Sequence, residues 1–140
     1  MLPRRVLLTW LALAVPAAAQ TRATYAGKAA RRFPQPVRVG DLIGRDVLEP
    51  KERQNVLGRV AAIRRAGDGG IDLLIRTGGV LGFGTRLVAV PIEAVALLGE
   101  YVALLDLTPD ELEKLPTAPD RGQDVPANES IRVGLVRPFH

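Results

Sequence analysis

The sequence predicts an all-β fold, a small β-barrel followed by one short helix. Three observations carry this expectation. Short runs of Val, Leu, Ile and Ala recur between turn residues, and the 14 glycines and 11 prolines among 140 residues favour brief elements joined by tight turns. Ile71 to Thr77 alternates, with Ile71, Leu73 and Ile75 on one face and Asp72, Leu74 and Arg76 on the other. The stretch Thr77 to Pro91 sets Gly78, Gly79, Gly82 and Gly84 around small apolar residues, then runs into a strand, Arg86 to Val90, that stops at Pro91. Aromatics make up only 4 % of the chain, so the core of such a barrel is aliphatic.

Met1 to Ala19 has the three parts of a secretory signal in order. Arg4 and Arg5 form a basic start, Val6 to Val15 an apolar run, and Ala17-Ala18-Ala19 a small-residue cleavage site after Pro16. Cleavage after Ala19 and a periplasmic location are expected, the alternative being an uncleaved N-terminus that anchors the chain to a membrane. The apolar run is short for a bilayer span. Residues 20–36 lack an apolar period and read as a flexible leader. Arg31 and Arg32, with Lys28 nearby, are placed to touch lipid head groups or an acidic partner, but so few charges hold a membrane only weakly.

The barrel domain is expected over residues 37–116. Val37 to Ile43 and Arg45 to Leu48 are short apolar pieces that suggest one strand entering and a second leaving a turn, and the charged Glu49 to Asn55 is a loop. Val56 to Arg65 is a strand whose alternation breaks at Ala61-Ala62, where a bulge would accommodate the extra residue. Gly67-Asp68-Gly69-Gly70 supplies residues that tolerate positive φ in a tight hairpin. Pro91 lacks a donor and marks a strand edge or end. Val95 to Leu98 and Tyr101 to Leu107 form a hairpin through Gly99-Glu100. Thr108-Pro109-Asp110-Glu111 opens a short helix: Thr108 caps it, Pro109 needs no donor there, and Glu111 closes a capping box. Pro116 ends that helix. Residues 117–140 form a tail, Pro-rich at first. Its apolar end, Ile131 to Val136, is placed to pair with an open barrel edge in its own chain or in a neighbour.

The chain holds little of what catalysis uses. It has no cysteine, its one histidine is His140 at the end, and its one serine, Ser130, lies in the tail. No catalytic residue, metal site or cofactor is therefore expected. Asp41, Asp46, Glu49 and Glu52 lack the spacing of a calcium loop. The glycine stretch resembles a phosphate cradle only superficially, because neither G-x-G-x-x-G nor Gly-Lys-Ser/Thr occurs and a strand follows it. Glycines that let two strands cross closely are the better account. Net charge is +4, falling to +2 once Arg4 and Arg5 are removed, which is too weak to point to nucleic acid.

In chain order, Leu42-Ile43-Gly44-Arg45-Asp46-Val47, Leu57-Gly58-Arg59-Val60, Gly78-Gly79-Val80-Leu81-Gly82-Phe83-Gly84, Leu87-Val88-Ala89-Val90-Pro91 and Val102 to Leu107 resemble the PRC-barrel family. Its most specific signature lies in Gly78, Gly79, Gly82, Gly84, Val90 and Pro91. The resemblance spans Val37 to Pro116 and implies a closed barrel of about six strands, a small all-β architecture. It also implies work by docking to larger partners, with no catalytic residues to carry over. The family includes the soluble domain of the photosynthetic reaction-centre H subunit and a domain of ribosome-maturation proteins. An export signal argues against the ribosomal role.

The expected function is that of a non-catalytic, exported protein-binding or scaffold module, with a protein partner or self-association. Its candidate contacts are the edge near Pro91, the glycine crossing and the tail residues Ile131, Val133 and Leu135. One alternative is a membrane-associated accessory like the reaction-centre subunit. The other is a small-ligand or enzymatic protein using acids such as Asp41 and Asp46. Thr108→Ala is expected to lower stability by about 1 kcal/mol through loss of the cap. Urea unfolding checks this, and an unchanged midpoint argues against the helix start.

Overall fold

The structure, a computed structural model, describes residues 17–51, 54–78 and 84–136. The apolar part of the signal segment, Gly79, Gly82 and His140 lie outside the described residues. In chain order the elements begin with helix α1 (Ala17–Ala30), strand β1 (Gln35–Arg38), a one-turn helix α2 (Val39–Leu42) and β2 (Asp46–Leu48). They continue with β3 (Val56–Arg65), β4 (Ile71–Thr77), β5 (Arg86–Pro91), a 3-10 turn (Ile92–Ala94), β6 (Val95–Leu98) and β7 (Tyr101–Leu104). Helix α3 (Pro109–Lys114), β8 (Gln123–Asp124) and β9 (Ser130–Leu135) complete the elements of the described residues.

The all-β class holds, but the architecture differs from a closed six-strand barrel. The strands form one open nine-stranded sheet in the order β1-β9-β6-β7-β2-β3-β4-β5, with β8 paired to β3. The β2–β7 and β6–β9 pairs are parallel and the others antiparallel. One core draws Val88 and Val90 from β5 at one end of this order and Ile131 and Val133 from β9 near the other, so the sheet curls around it. Among the described residues the two ends of this order, β1 and β5, do not pair. Along β5, Ala118 N–H donates to the Leu87 carbonyl at 2.7 Å, and the Arg86 guanidinium donates to the carbonyls of Glu113 and Leu115. At the other end β9 carries β1.

Several local expectations are met. The β3–β4 register shifts between Val60 and Ala62, where the alternation breaks. Gly69 (φ 83°) and Gly99 (φ 57°) take the positive φ their turns need. The α3 cap is a full capping box: the Glu111 N–H donates to Thr108 Oγ1 at 3.1 Å, and the Thr108 N–H donates to Glu111 Oε1 at 3.3 Å. Other expectations are corrected. Val39 to Leu42 is a helical turn, because Val39 and Gly40 donate their N–H groups to the Glu129 and Ala127 carbonyls and Val39 and Leu42 both reach the core. Of the two readings of the tail, pairing within its own chain is the one seen: β9 pairs β1 and β6, which buries the candidate contacts Ile131 and Val133 and leaves Leu135 exposed.

Strand β4 is covered on both faces. Leu73 and Ile75 enter the core, and Leu74 on the opposite face is equally buried. Leu74 and Ala89 there share a cleft with Ala118 and Pro119 of the tail. A close strand approach does depend on glycine, but at Gly58 of β3. A Cβ there would lie 2.5 Å from the Arg76 carbonyl oxygen and 2.7 Å from Ile75 Cγ2. Both neighbours belong to the paired strand, so neither yields easily. Gly58→Ala is expected to lower stability by about 1–3 kcal/mol, as overpacking does. Thermal unfolding measures this, and an unchanged melting temperature would show that β3 and β4 can separate freely.

Candidate functional site

The segment expected to be a flexible leader is helix α1 and the start of β1. Its alanines explain the helix, since alanine has the highest helix propensity. Its docking face is set by Arg22, Tyr25, Ala29 and Arg32, spaced three, four and three apart, which lines them up on one side. Those four are partly buried, whereas Thr24, Ala26, Gly27 and Lys28 are exposed. The stripe escapes an apolar-period reading because two of its members are arginines.

Arg22 fills a socket built by the β3–β4 turn, β4 and the 3-10 turn. Its Nε lies 3.1 Å from Asp68 Oδ2, its Nη2 2.6 Å from Asp72 Oδ1 and its Nη1 2.8 Å from Glu93 Oε2. Nη1 also donates to the Ile71 carbonyl at 2.8 Å. The floor of the socket is Gly70, where a Cβ would stand 2.1 Å from Arg22 Nε. The glycine therefore serves here to admit a side chain. The Arg22 side chain is 13 % exposed, so these bonds form largely out of water. Burial works against its charge, but the bonds to Asp72 and Asp68 and the field of Glu93 outweigh it and hold the guanidinium above its ordinary pKa. The Gly70 N–H donates to Asp68 Oδ1 at 2.9 Å. That bond, opposed by burial and aided by Arg22, keeps the Asp68 carboxyl below its usual pKa.

A second anchor holds the end of the helix. Arg32 Nη2 donates to Asp106 Oδ1 at 3.1 Å, and Nη1 donates to the Glu93 carbonyl at 3.2 Å. Asp106 Oδ2 lies 2.9 Å from the same Nη2 yet receives no well-directed N–H, so charge alone holds it. Gly134 leaves the room that Arg32 occupies, since a Cβ there would sit 2.8 Å from Arg32 Cβ. Arg32 is thus engaged by an acid of its own chain. Lys28 Nζ stands 3.8 Å from Asp106 Oδ1 and is mostly exposed, so it adds little. Burial, then Glu111 and Asp106, push the Tyr25 phenol above its ordinary pKa.

Beside the socket, α1, the edge of β5 and the segment after α3 enclose a cleft of about 410 Å³. Tyr25, Ala89, Pro91, Leu107, Leu115 and Ala118 make its wall apolar, and Arg22 and Asp72 close one end. Pro91 belongs here as the last residue of β5, opposite Asp72. Val90 faces the core. Gly78 (φ 78°) and Gly84 (φ 76°) bracket the glycine stretch with the positive φ that favours glycine. Leu135 lines a separate cleft of about 610 Å³ with Val37, Asp41 and Arg45, and Asp46 pairs with Arg59 at 3.2 Å. Among the described residues no group of three or more His, Cys, Asp or Glu could hold a metal ion, and no helix is long and apolar enough to cross a membrane.

No family model, no curated protein and no solved structure matches this chain.

Arg22→Gln leaves three carboxylates facing one another with no cation. It is expected to release α1 while β3, β4 and β5 keep their pairing. Hydrogen exchange should then lose its protection over residues 22–30 only, and the Tyr25 phenol should titrate lower, near its ordinary value of about 10. Acid acts in the same sense. A carboxylate with a depressed folded-state pKa contributes stability that is complete above its unfolded value of about 3.9 and is lost as pH falls through the folded value. Protection of α1 that persists unchanged in the variant would show that the socket does not hold the helix.

Proposed function

We propose that the chain is a non-catalytic binding or scaffold module of the PRC-barrel kind, exported to the periplasm, whose partner is a protein. The apolar cleft along the outer edge of β5 carries this reading. Its wall is built from Tyr25, Ala89, Pro91, Leu107 and Leu115, an apolar concavity with a charged rim at Arg22 and Asp72. Such a lining suits an apolar side chain or a short extended segment of a partner.

The electrostatics support the same reading. The carboxylates that do converge, Asp68, Asp72 and Glu93, surround a guanidinium, and Asp68 is held ionised. A general acid needs a carboxyl whose pKa is raised towards neutrality, the opposite shift. The cleft of about 680 Å³ between the β3–β4 ends and α3 contains Arg76, Arg86 and Glu113. Two of the Arg86 donors there are committed to the carbonyls of Glu113 and Leu115.

A photo-reactive residue placed at Thr117 or Leu107, on the cleft, is expected to give a discrete protein adduct in the periplasm. One placed at Val56, exposed but on a different part of the sheet, is expected to give none. Mass spectrometry of the adducts identifies the partner. The reading fails if both cleft positions stay unlinked while the folded protein is abundant in that compartment.

A further inference from the structure

Strand β5 stands at one end of the strand order, so one of its edges has no neighbouring strand among the described residues. The Leu87 carbonyl accepts the Ala118 N–H, a bond from outside the β4–β5 pair, so it points away from β4. In an antiparallel pair the N–H and C=O of one residue share an edge, and residues two apart share the same edge. The Ala89 N–H, the Ala89 carbonyl and the Pro91 carbonyl therefore point outwards with it. Pro91 agrees with this alternation, because a residue without an N–H is tolerated on an unpaired edge. Both Ala89 and Pro91 line the apolar cleft of about 410 Å³. Among the described residues no backbone bond reaches Ala89 from that side.

The chain begins a ladder on this edge and leaves it. Ala118 makes one bond, and the prolines on either side, Pro116 and Pro119, have no N–H to give. Past Pro119 the chain crosses to β3, where the Arg64 guanidinium donates to the Pro119 and Arg121 carbonyls. A donor and two acceptors of β5 are thus left beside the apolar wall of Tyr25, Leu107 and Leu115. A second cleft of about 400 Å³ adjoins the first and shares Asp72, Ala89, Ala118 and Pro119 with it. Arg64, Arg65 and Arg121 line that second cleft. Arg64 and Arg65 are paired with Asp124 and Glu129. Arg121 is exposed, and among the described residues its side chain makes no hydrogen bond or ion pair. The uncompensated charge at that end of the groove is therefore positive.

We propose that the β5 edge takes one extended segment of the protein partner as an added strand, with an apolar side chain on the Tyr25, Leu107 and Leu115 wall and an acidic one towards Arg121. This rests on the reading of the cleft as a protein-binding site and states what the site recognises. The Ala89 N–H donates to a carbonyl of the segment, and the Ala89 and Pro91 carbonyls accept its N–H groups. The main chain supplies affinity, and the two side chains supply choice. A helical segment would not serve, since its own turns use its backbone groups. A lysine in place of the acid would meet Arg121 with like charge. Two residues apart, the apolar and acidic side chains lie on one face of the added strand.

Fluorescence anisotropy with labelled heptapeptides and the mature chain tests this. The reference peptide carries leucine and glutamate two residues apart among threonines. Its backbone amides are N-methylated one at a time. Every second methylation is expected to weaken binding by about tenfold, and those between to leave it unchanged, because only alternate amides of an added strand face β5. Lysine in place of the glutamate should weaken binding about threefold, and Arg121→Ser should abolish that difference. Ala89→Pro removes the outward N–H without touching a bond to β4, and should weaken the reference peptide about tenfold, with circular dichroism checking the fold. The methylation series needs only the natural chain, so it decides the matter even where that variant does not fold. A series without the two-residue alternation overturns the proposal, as does equal binding of the glutamate and lysine peptides or binding of neither. Periplasmic adducts at Thr117 or Leu107 without the alternation sink the added strand and leave the cleft reading standing, so the two failures are distinguishable.

Discussion

The burial of β4 on both faces is the constraint that the rest of the structure answers to. Leu73 and Ile75 point into the aliphatic core while Leu74 points the other way, and all three are shut off from water. A sheet with one wet face would need nothing more, but Leu74 requires a second layer. The tail supplies it through Ala118 and Pro119, held to β5 by the Ala118 N–H, while Arg86 of β5 holds the end of α3. Asp72 lies on that same outer face and closes the cleft with Arg22, so the N-terminal helix is drawn to the same side. Helix α1 and the segment 115–119 thus converge on the outer side of β4 and β5.

What could be read from the sequence was what neighbouring residues decide. The capping box at Thr108, the bulge at Ala61-Ala62 and the glycine turns at Gly69 and Gly99 each follow from a few adjacent side chains, and each is present. What could not be read depends on partners far along the chain. Closure of a barrel rests on which edges meet, and nothing in Arg86 to Pro91 announces that a segment thirty residues on will take up the Leu87 carbonyl. The role of Gly58 was hidden for the same reason: its need for a bare Cα comes from Ile75 and Arg76 across the ladder. Helix α1 is a different case. Its stripe was visible in principle, but arginine counts as polar in any apolar period, and only the acids of the body turn Arg22 and Arg32 into inward-facing residues.

The chemistry of the socket explains why an arginine fills it. Three acceptors and a carbonyl converge from three directions on one side chain. The planar guanidinium offers donors in several directions at once, which the single ammonium of lysine cannot match. Its Nε, Cζ and Cδ fill the space over Gly70 that a Cβ would take, so the fit is one of shape as well as charge. Withdrawing such a group from water is costly, and the gain over an apolar plug is in specificity more than in stability. An apolar helix would dock wherever the outer face is greasy, but this one docks in a single register.

That specificity runs in both directions. Without Arg22, Asp68, Asp72 and Glu93 would repel one another at close range, and Asp68 would lose one of the influences that hold its pKa down. The socket is therefore better formed when occupied, just as α1 is better formed when docked. Each half stabilises the other, and neither belongs to the core that folds the sheet. The same outer side also holds the apolar cleft, with Tyr25 forming part of its wall. The position of α1 consequently sets the shape of the surface most suited to binding, and the charge pairs at Arg22 and Arg32 control that shape from outside the core.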